Sequence, residues 1–313
     1  MTQTPSPIVI LCPGQGAQKV GMAAAWANAS PAAKAVFDEA ADVLGYDLLA
    51  LCTEGPAETL DRTDRAQPAI LAASVASYRG LVEQGKLDPA NLTAAAGLSL
   101  GEFTALHLAG ALSLADALTV VQERGRVMQA AAEAVDSSMV ALTGEVEESV
   151  VRKLCDDVKA ALGANAVLEP ANFNSPMQVV VSGTRDACDA VLAPAQDAGL
   201  KATPLAVAGA FHSPIMAPAA EALAKAMASV SWSTPACRVE SNALGGPHDP
   251  DPVAIQTQLV AQLTAPVRWS QSIAGLADSH AQARWVELAP GKVLSGLLRR
   301  INRSVKAENF DSP

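Results

Sequence analysis

The chain has 313 residues, half of them apolar, and a formal charge of −10 at pH 7. That length allows one large α/β domain or two smaller ones. The negative charge disfavours nucleic acid as the main partner, and no uninterrupted run of about 20 apolar residues is present to form a membrane-spanning helix. The five cysteines (Cys12, Cys52, Cys155, Cys188, Cys237) are odd in number and lack CxxC spacing, which argues against a disulfide scaffold or zinc knuckle and for a reducing cytoplasm. The N-terminus shows no basic region ahead of an apolar block, so no secretory leader is read there.

Taken in chain order, residues 7–12 (PIVILC) read as a short buried strand that runs into Pro13-Gly14-Gln15-Gly16, a backbone able to turn tightly. Ser30 and Pro31 supply an N-cap and a first-turn proline for a helix over 30–44. A second buried strand, 93–98, ends at Gly97-Leu98-Ser99-Leu100-Gly101, and a long helical pattern covers 115–134. The middle of the chain then changes character. It reads as strand 139–143, helix 145–162, strand 165–173, strand 178–182 after the turn Asn174-Ser175-Pro176, helix 185–198 and strand 202–207. The order β-α-β-β-α-β is that of the ferredoxin-like split unit. Residues 138–207 are therefore expected to form a small subdomain inserted into a larger α/β body made of 1–137 and 208–313. That body should hold a further strand, 284–288, meeting a helix at Pro290-Gly291-Lys292, and a polar loop over 245–252.

A serine with glycine two places before and two after, between an apolar strand and a helical pattern, is the nucleophile-elbow arrangement of a hydrolase-like core built on a parallel sheet. A chance GxSxG in a chain rich in glycine, serine and alanine is the alternative; the flanking strand and helix favour the elbow. A serine hydroxyl needs exposure, a base and donors for the developing oxyanion. The helix that follows Ser99 would point its free N–H groups and positive end at the reaction, with the Leu100 N–H as the first donor.

Of the four histidines, His107 falls within that helix, His248 in the polar loop and His280 in a solvated Asp-Ser-His-Ala stretch. His212 ends an apolar strand and a Gly-Ala-Phe turn, where an imidazole can be aimed into a cleft; a surface turn residue is the other reading. Asp186, Asp189 and Asp197 all look solvated, so a Ser–His dyad fits better than a Ser–His–Asp triad. In the helix 115–134, Arg124 has Val120, Val121, Val127 and Met128 at helical-neighbour offsets and so lies on the apolar face, whereas Arg126 lies on the wetter one. A buried guanidinium needs a partner. That partner is either an internal carboxylate or, since the guanidinium fork matches its geometry, the free carboxylate of a substrate.

These residues resemble the malonyl-CoA:acyl carrier protein transacylase family over nearly the whole chain. The resemblance rests on Pro13-Gly14-Gln15-Gly16-Ala17-Gln18, Ala66-Gln67-Pro68-Ala69, Gly97-Leu98-Ser99-Leu100-Gly101-Glu102-Phe103 and Glu123-Arg124-Gly125. It continues through Asn172-Phe173-Asn174-Ser175-Pro176, Phe211-His212-Ser213, Gln262-Leu263, Pro266-Val267 and the segment from Glu287 to Gly291. It implies that Ser99 is the acylated nucleophile and His212 its base, and that the backbone N–H groups of Gln15 and Leu100 form the oxyanion hole. It further implies that Arg124 binds the malonyl carboxylate and that Gln262 orients His212 through its carbonyl. Gln67, Asn172 and Asn174 would stand near the substrate, and Phe211 would leave little room for a methyl branch. Leu98, Ala17, Phe103 and Met177 depart from the family's usual histidine, serine, tyrosine and glycine; Leu98 could alter the pocket wall and Met177 the hairpin turn.

The reaction so implied uses malonyl-CoA as substrate and no cofactor or metal. Its acceptor is an acidic holo acyl carrier protein and its setting fatty acid biosynthesis; the cysteines favour the cytoplasm, and no strongly apolar surface helix argues against a monomer. The segment 284–306 carries six basic residues against the single acid Glu287. Lys292, Arg299, Arg303 and Lys306 are spaced to share one helical face opposite Val293, Leu294, Leu297, Leu298 and Ile301, which makes either a carrier-docking face or a merely solvated one. A serine acyl hydrolase, a discrete polyketide-pathway acyltransferase and a catalytically silent binding module are the competing readings.

Overall fold

A computed structural model describes residues 6–313; residues 1–5, part of the segment read as lacking a leader, lie outside the described residues. Ten strands among the described residues form two main sheets. Six of them, β1 (Ile8–Cys12), β2 (Leu92–Gly97), β7 (Arg238–Ser241), β8 (Gly246–Pro247), β9 (Arg284–Leu288) and β10 (Ala307–Phe310), lie in the order β10-β9-β1-β2-β7-β8. All neighbours are parallel except the short β7–β8 pair.

The unbroken apolar run IVILC belongs at the centre of such a sheet because a parallel strand is covered on both faces, and all five residues of β1 are buried. Its side chains alternate between two cores. Ile8, Ile10 and Cys12 face the helices Pro31–Leu44, Thr63–Glu83 and Leu114–Ala134, whereas Val9 and Leu11 face Trp269, Ile273, Trp285, Leu294 and Leu298. The helix Pro31–Leu44 begins as its sequence dictates, with the Ser30 side chain accepting from the Ala33 N–H. No helix among the described residues is long and apolar enough to cross a membrane.

The other four strands, β3 (Ser137–Thr143), β4 (Leu168–Ser175), β5 (Gln178–Thr184) and β6 (Lys201–Pro204), form an antiparallel sheet in the order β4-β5-β3-β6, the ferredoxin-like arrangement. Val140, Leu142, Val179 and Val181 pack on its own helices, while Met139, Ala141 and Val180, on the opposite pleat, join the core of the larger body. The Val267 N–H donates to Ala171 O and the Phe173 N–H to Val267 O, both at 2.8 Å, so β4 is hydrogen-bonded to the body beside Asn172.

Three expectations need correction. The helix read over 185–198 is two, Arg185–Ala190 and Leu192–Asp197, because Pro194 lacks the N–H that a continuous helix would use at that turn. The loop 245–252 is not wholly solvent-borne: Gly246–Pro247 pairs with β7, and His248 behind it is buried. The C-terminal basic helix is shorter than its spacing suggests. It spans Val293–Ile301 and stops where Asn302 turns extended (φ −140°, ψ 112°), so that Val305 can be buried and the chain can run into β10, a strand that the sequence pattern does not announce. Lys292 sits at the N-cap, Arg299 in the last turn, and Arg303 and Lys306 beyond the helix. All four are exposed, but they line a helix and its outgoing loop, not one helical face. Val293, placed by its spacing on the apolar stripe, is 50% exposed.

Candidate active site

Ser99 sits between β2 and the helix Gly101–Leu108 with φ +51°, a left-handed conformation that a serine holds only when its surroundings fix it. The two glycines explain how. A Cβ on Gly97 would lie 1.8 Å from the Gly101 carbonyl carbon, and one on Gly101 would lie 2.2 Å from Cys12 O. Strand and helix can meet at this angle only if both positions lack a side chain. Asn242, following β7, staples the turn. Its Oδ1 accepts from the Ser99 N–H at 2.6 Å and its Nδ2 donates to Gly97 O at 2.7 Å.

Ser99 Oγ lies 2.8 Å from His212 Nε2, and His212 Nδ1 lies 2.8 Å from the carbonyl oxygen of Gln262. The carbonyl can only accept, so Nδ1 carries the hydrogen and Nε2 is left free to accept the serine proton. A backbone carbonyl thus stands where a triad would have its acid, while Asp186, Asp189 and Asp197 are exposed, as their sequence setting suggests. His212 also has a left-handed backbone, φ +57°, and is 4% exposed. Burial and the neighbouring Arg124 charge push its pKa down to about 4, against the bond to Gln262. The imidazole is therefore neutral, and competent as a base, at neutral pH.

Arg124 projects from the helix Leu114–Ala134 toward Ser99 and lies behind the cavity lining, 1% exposed, with Val120, Val121, Val127 and Met128 buried beside it. Arg126 lies outside, paired with Glu123. The Arg124 Nη1 donates to Gln67 Oε1 at 2.6 Å, and its Nη2 to Gln262 Oε1 at 2.9 Å and to Ser99 Oγ at 3.1 Å; Nε has no partner. Of the two partners its sequence leaves open, the internal one is absent: no described carboxylate lies within ion-pair distance. Burial lowers its pKa to about 10, with the charge of Glu102 acting the other way, so it is still cationic at neutral pH. A buried cation held by neutral amides and touching a reactive hydroxyl is suited to receive an anion.

The site opens into a cavity of about 420 Å³. Ser99 and His212 lie at its base, the Gly14–Gly16 turn and Leu98 form one side, and Met139, Asn172, Asn174 and Val180 of the antiparallel sheet, with Phe211, form the other. The Leu100 N–H and the Gln15 N–H have no protein acceptor among the described residues. The Gly14 turn is pressed against the elbow, since a Cβ there would lie 2.3 Å from Leu98 O. Gln67 is set back, fully buried, supporting Arg124 instead of lining the cavity. Asn174 donates through Nδ2 to Gln178 Oε1 at 3.3 Å and keeps a buried, unpartnered Oδ1. Met177 is at the exposed hairpin tip. The basic residues Lys292, Arg299, Arg303 and Lys306 line no part of the cavity.

Sequence reasoning missed Asn242 and the part played by Glu102. Glu102 is fully buried, and its Oε2 accepts from Gln262 Nε2 at 2.7 Å and from the Asn242 N–H at 3.0 Å. An acid between Gly101 and Phe103 in an otherwise apolar helical turn was the available signal; nothing local marks Asn242.

Residues 9–311 match the family described as the acyl transferase domain. The chain is 40% identical over 302 residues to the malonyl CoA-acyl carrier protein transacylase of Escherichia coli (strain K12), covering 96% of this chain and 94% of that protein. The crystal structure of the malonyl-CoA:acyl carrier protein transacylase of Xanthomonas oryzae pv. oryzae superposes with a TM-score of 0.91 at 42% identity, over 99% of this chain and 96% of that one. A malonyl-transacylase in complex with its type II PKS acyl-carrier protein superposes equally well, with a TM-score of 0.91 at 36% identity over 98% and 97% of the two chains. The chain belongs to the acyl transferase domain family, among its malonyl CoA-acyl carrier protein transacylases.

Proposed function

We propose that this enzyme transfers the malonyl group of malonyl-CoA to the phosphopantetheine thiol of an acyl carrier protein through a malonyl ester on Ser99, supplying fatty acid biosynthesis. The observation that carries the reading is the buried Arg124 guanidinium, without a carboxylate partner among the described residues and 3.1 Å from Ser99 Oγ. The free carboxylate of a malonyl thioester stands one methylene away from the carbonyl to be attacked, so a cation beside the nucleophile suits it and gives acetyl nothing to hold.

In the first half-reaction His212 Nε2 takes the Ser99 proton as Oγ attacks the thioester carbonyl. The N–H groups of Leu100 and Gln15 receive the oxyanion, and the CoA sulfur leaves with the proton from His212. In the second, His212 takes the proton of the carrier thiol, the sulfur attacks the malonyl ester, and Ser99 recovers its proton. Loss of one such oxyanion donor would cost on the order of 10²–10³ in rate. The resemblance of fold to a transacylase bound to a type II PKS acyl-carrier protein keeps a polyketide carrier as the second reading; the chemistry is common to both. Five cysteines free of disulfides agree with a cytoplasmic enzyme, which we take to be monomeric.

Mass spectrometry after exposure to malonyl-CoA should show one malonyl group on Ser99, discharged by holo carrier protein and only slowly by water. Rapid release of malonate without carrier would make the protein a hydrolase, and no adduct at all would make it a silent binding module. Exposed Lys292, Arg299, Arg303 and Lys306 offer an acidic carrier a basic surface. Reversal of Arg299 and Arg303 to Glu should raise KM for the carrier on the order of tenfold at low ionic strength, less as salt increases. KM for malonyl-CoA should stay the same; an equal rise in both would reject docking at this surface.

A further inference from the structure

Behind the elbow, away from the cavity, His248 is clamped between two acceptors. Its Nε2 lies 2.6 Å from Glu102 Oε1 and its Nδ1 lies 2.6 Å from Gln258 Oε1, with the imidazole side chain 2% exposed and the carboxylate fully buried. A neutral imidazole has one N–H and one lone pair. The Glu102 oxygen can only accept, so Nε2 carries a hydrogen; with the Gln258 amide turned oxygen-first toward the ring, Nδ1 carries one as well and the ring is doubly protonated. The other oxygen of the same carboxylate holds Gln262 Nε2 and the Asn242 N–H. Gln262 in turn orients His212 and accepts from Arg124, and Asn242 binds the Ser99 N–H.

We propose that His248 is a positioning residue for acyl transfer: as an imidazolium it holds the Glu102 carboxylate, and through Gln262 and Asn242 that carboxylate sets the ring of His212 and the turn of Ser99. The proposal rests on Ser99 and His212 being the transfer pair.

The groups facing His248 agree with a positive ring. Glu102 comes from the elbow helix, Gln258 from the helix Pro252–Ala261, and Glu240 from β7, its carboxylate bonded to Arg238. Burial opposes the charge, but Glu102, Gln258 and Glu240 outweigh it and raise the His248 pKa above its ordinary value. The sign follows. The arrangement is intact below the raised pKa and is weakened as pH climbs through it, because the ring then loses the charge that holds the Glu102 carboxylate. His248 should therefore impose an alkaline limb on kcat, separate from the acid limb set by His212.

The test uses the full chain. Malonyl transfer is measured against pH for the wild type, H248Q and H248A, with rates normalised to the Ser99 that can be malonylated, so that loss of folded enzyme does not count. H248A should lower kcat roughly tenfold or more, in keeping with the roughly 10²-fold that a 1 Å misplacement of a reacting group can cost, and should leave KM for malonyl-CoA within about twofold. H248Q can still donate to Glu102 but cannot titrate; it should recover part of the rate and lose the His248 limb, leaving only the fall that Arg124 brings near pH 10. An unchanged kcat in H248A, or an alkaline limb that keeps its wild-type midpoint in H248Q, would overturn the proposal; the loss that Arg124 brings near pH 10 is common to all three proteins. Should both variants fail to fold, ¹⁵N imidazole shifts of the wild type decide: two protonated nitrogens on His248 at pH 7 are expected, and a neutral ring overturns it. Absence of malonyl-Ser99 in the wild type is a different failure, that of the transfer reading itself.

Discussion

Arg124→Ala should lower kcat/KM for malonyl-CoA by about 10²- to 10³-fold and change transfer from acetyl-CoA by less than about tenfold. The magnitude follows from the setting. Truncating one partner of a buried, hydrogen-bonded charge pair costs roughly 2–5 kcal/mol, and each 1.4 kcal/mol is about tenfold in rate. Arg124 qualifies because it is 1% exposed and is surrounded by Gln67, Gln262 and the Ser99 hydroxyl, none of which carries a charge. Its cationic form, with a pKa of about 10, is thus balanced at short range only when an anion enters. Arg124→Lys should fall between, since an ammonium keeps the charge but loses the planar fork that spans Gln67 on one side and Ser99 on the other. Steady-state kinetics with both donors, together with a thermal melt of each variant, checks this. An equal loss with malonyl and acetyl donors, accompanied by a lowered melting temperature, would make Arg124 a structural residue and remove the ground for dicarboxylate selection.

What could be read from the sequence divides by how local its cause is. The elbow was legible because its requirements are local: Gly97 and Gly101 are four residues apart, and the clash that each avoids is with its own strand–helix junction or the adjoining β1. The burial of Arg124 was legible from helical periodicity alone. The ferredoxin-like unit was legible because its element order determines its sheet order. Gln262 was reachable only through the family resemblance, since a backbone carbonyl has no signature in a sequence. His248 does lie in the loop where its sequence setting places it, but its ring is buried although Gly-Gly-Pro-His-Asp-Pro-Asp-Pro looks solvated, because the carboxylate it pairs with is 146 residues away. The basic helix failed for a similar reason. Its spacing continues to Lys306, but the pairing of β10 with β9 takes the chain out of the helix after Ile301. Periodicity describes what a segment could form; pairing with a distant strand decides where it stops.

His212→Asn should reduce malonyl transfer by about 10³-fold, within the range of roughly 10²–10⁴ attributed to a positioned general base, and should at the same time make the protein less sensitive to acid. Asparagine suits the test because it tolerates the left-handed backbone found at this position, φ +57°, and cannot take the serine proton. The acid effect is a matter of linkage. The native pKa of about 4 lies below the ordinary 6.5 because burial and Arg124 disfavour the imidazolium. The unfolded chain therefore binds a proton that the native one refuses, and the native state loses stability as pH falls from about 6.5 to about 4, by roughly 3 kcal/mol at 1.36 kcal/mol per pKa unit. Denaturant unfolding at pH 7.5 and pH 5 should show a smaller drop for the variant than for the wild type. Activity of the wild type should fall in the same direction, as His212 is protonated near pH 4 and can no longer accept from Ser99. A variant that kept the wild-type rate would remove His212 from the chemistry. One that lost the rate but kept the full acid sensitivity would mean that the ring is not held neutral by its burial beside Arg124.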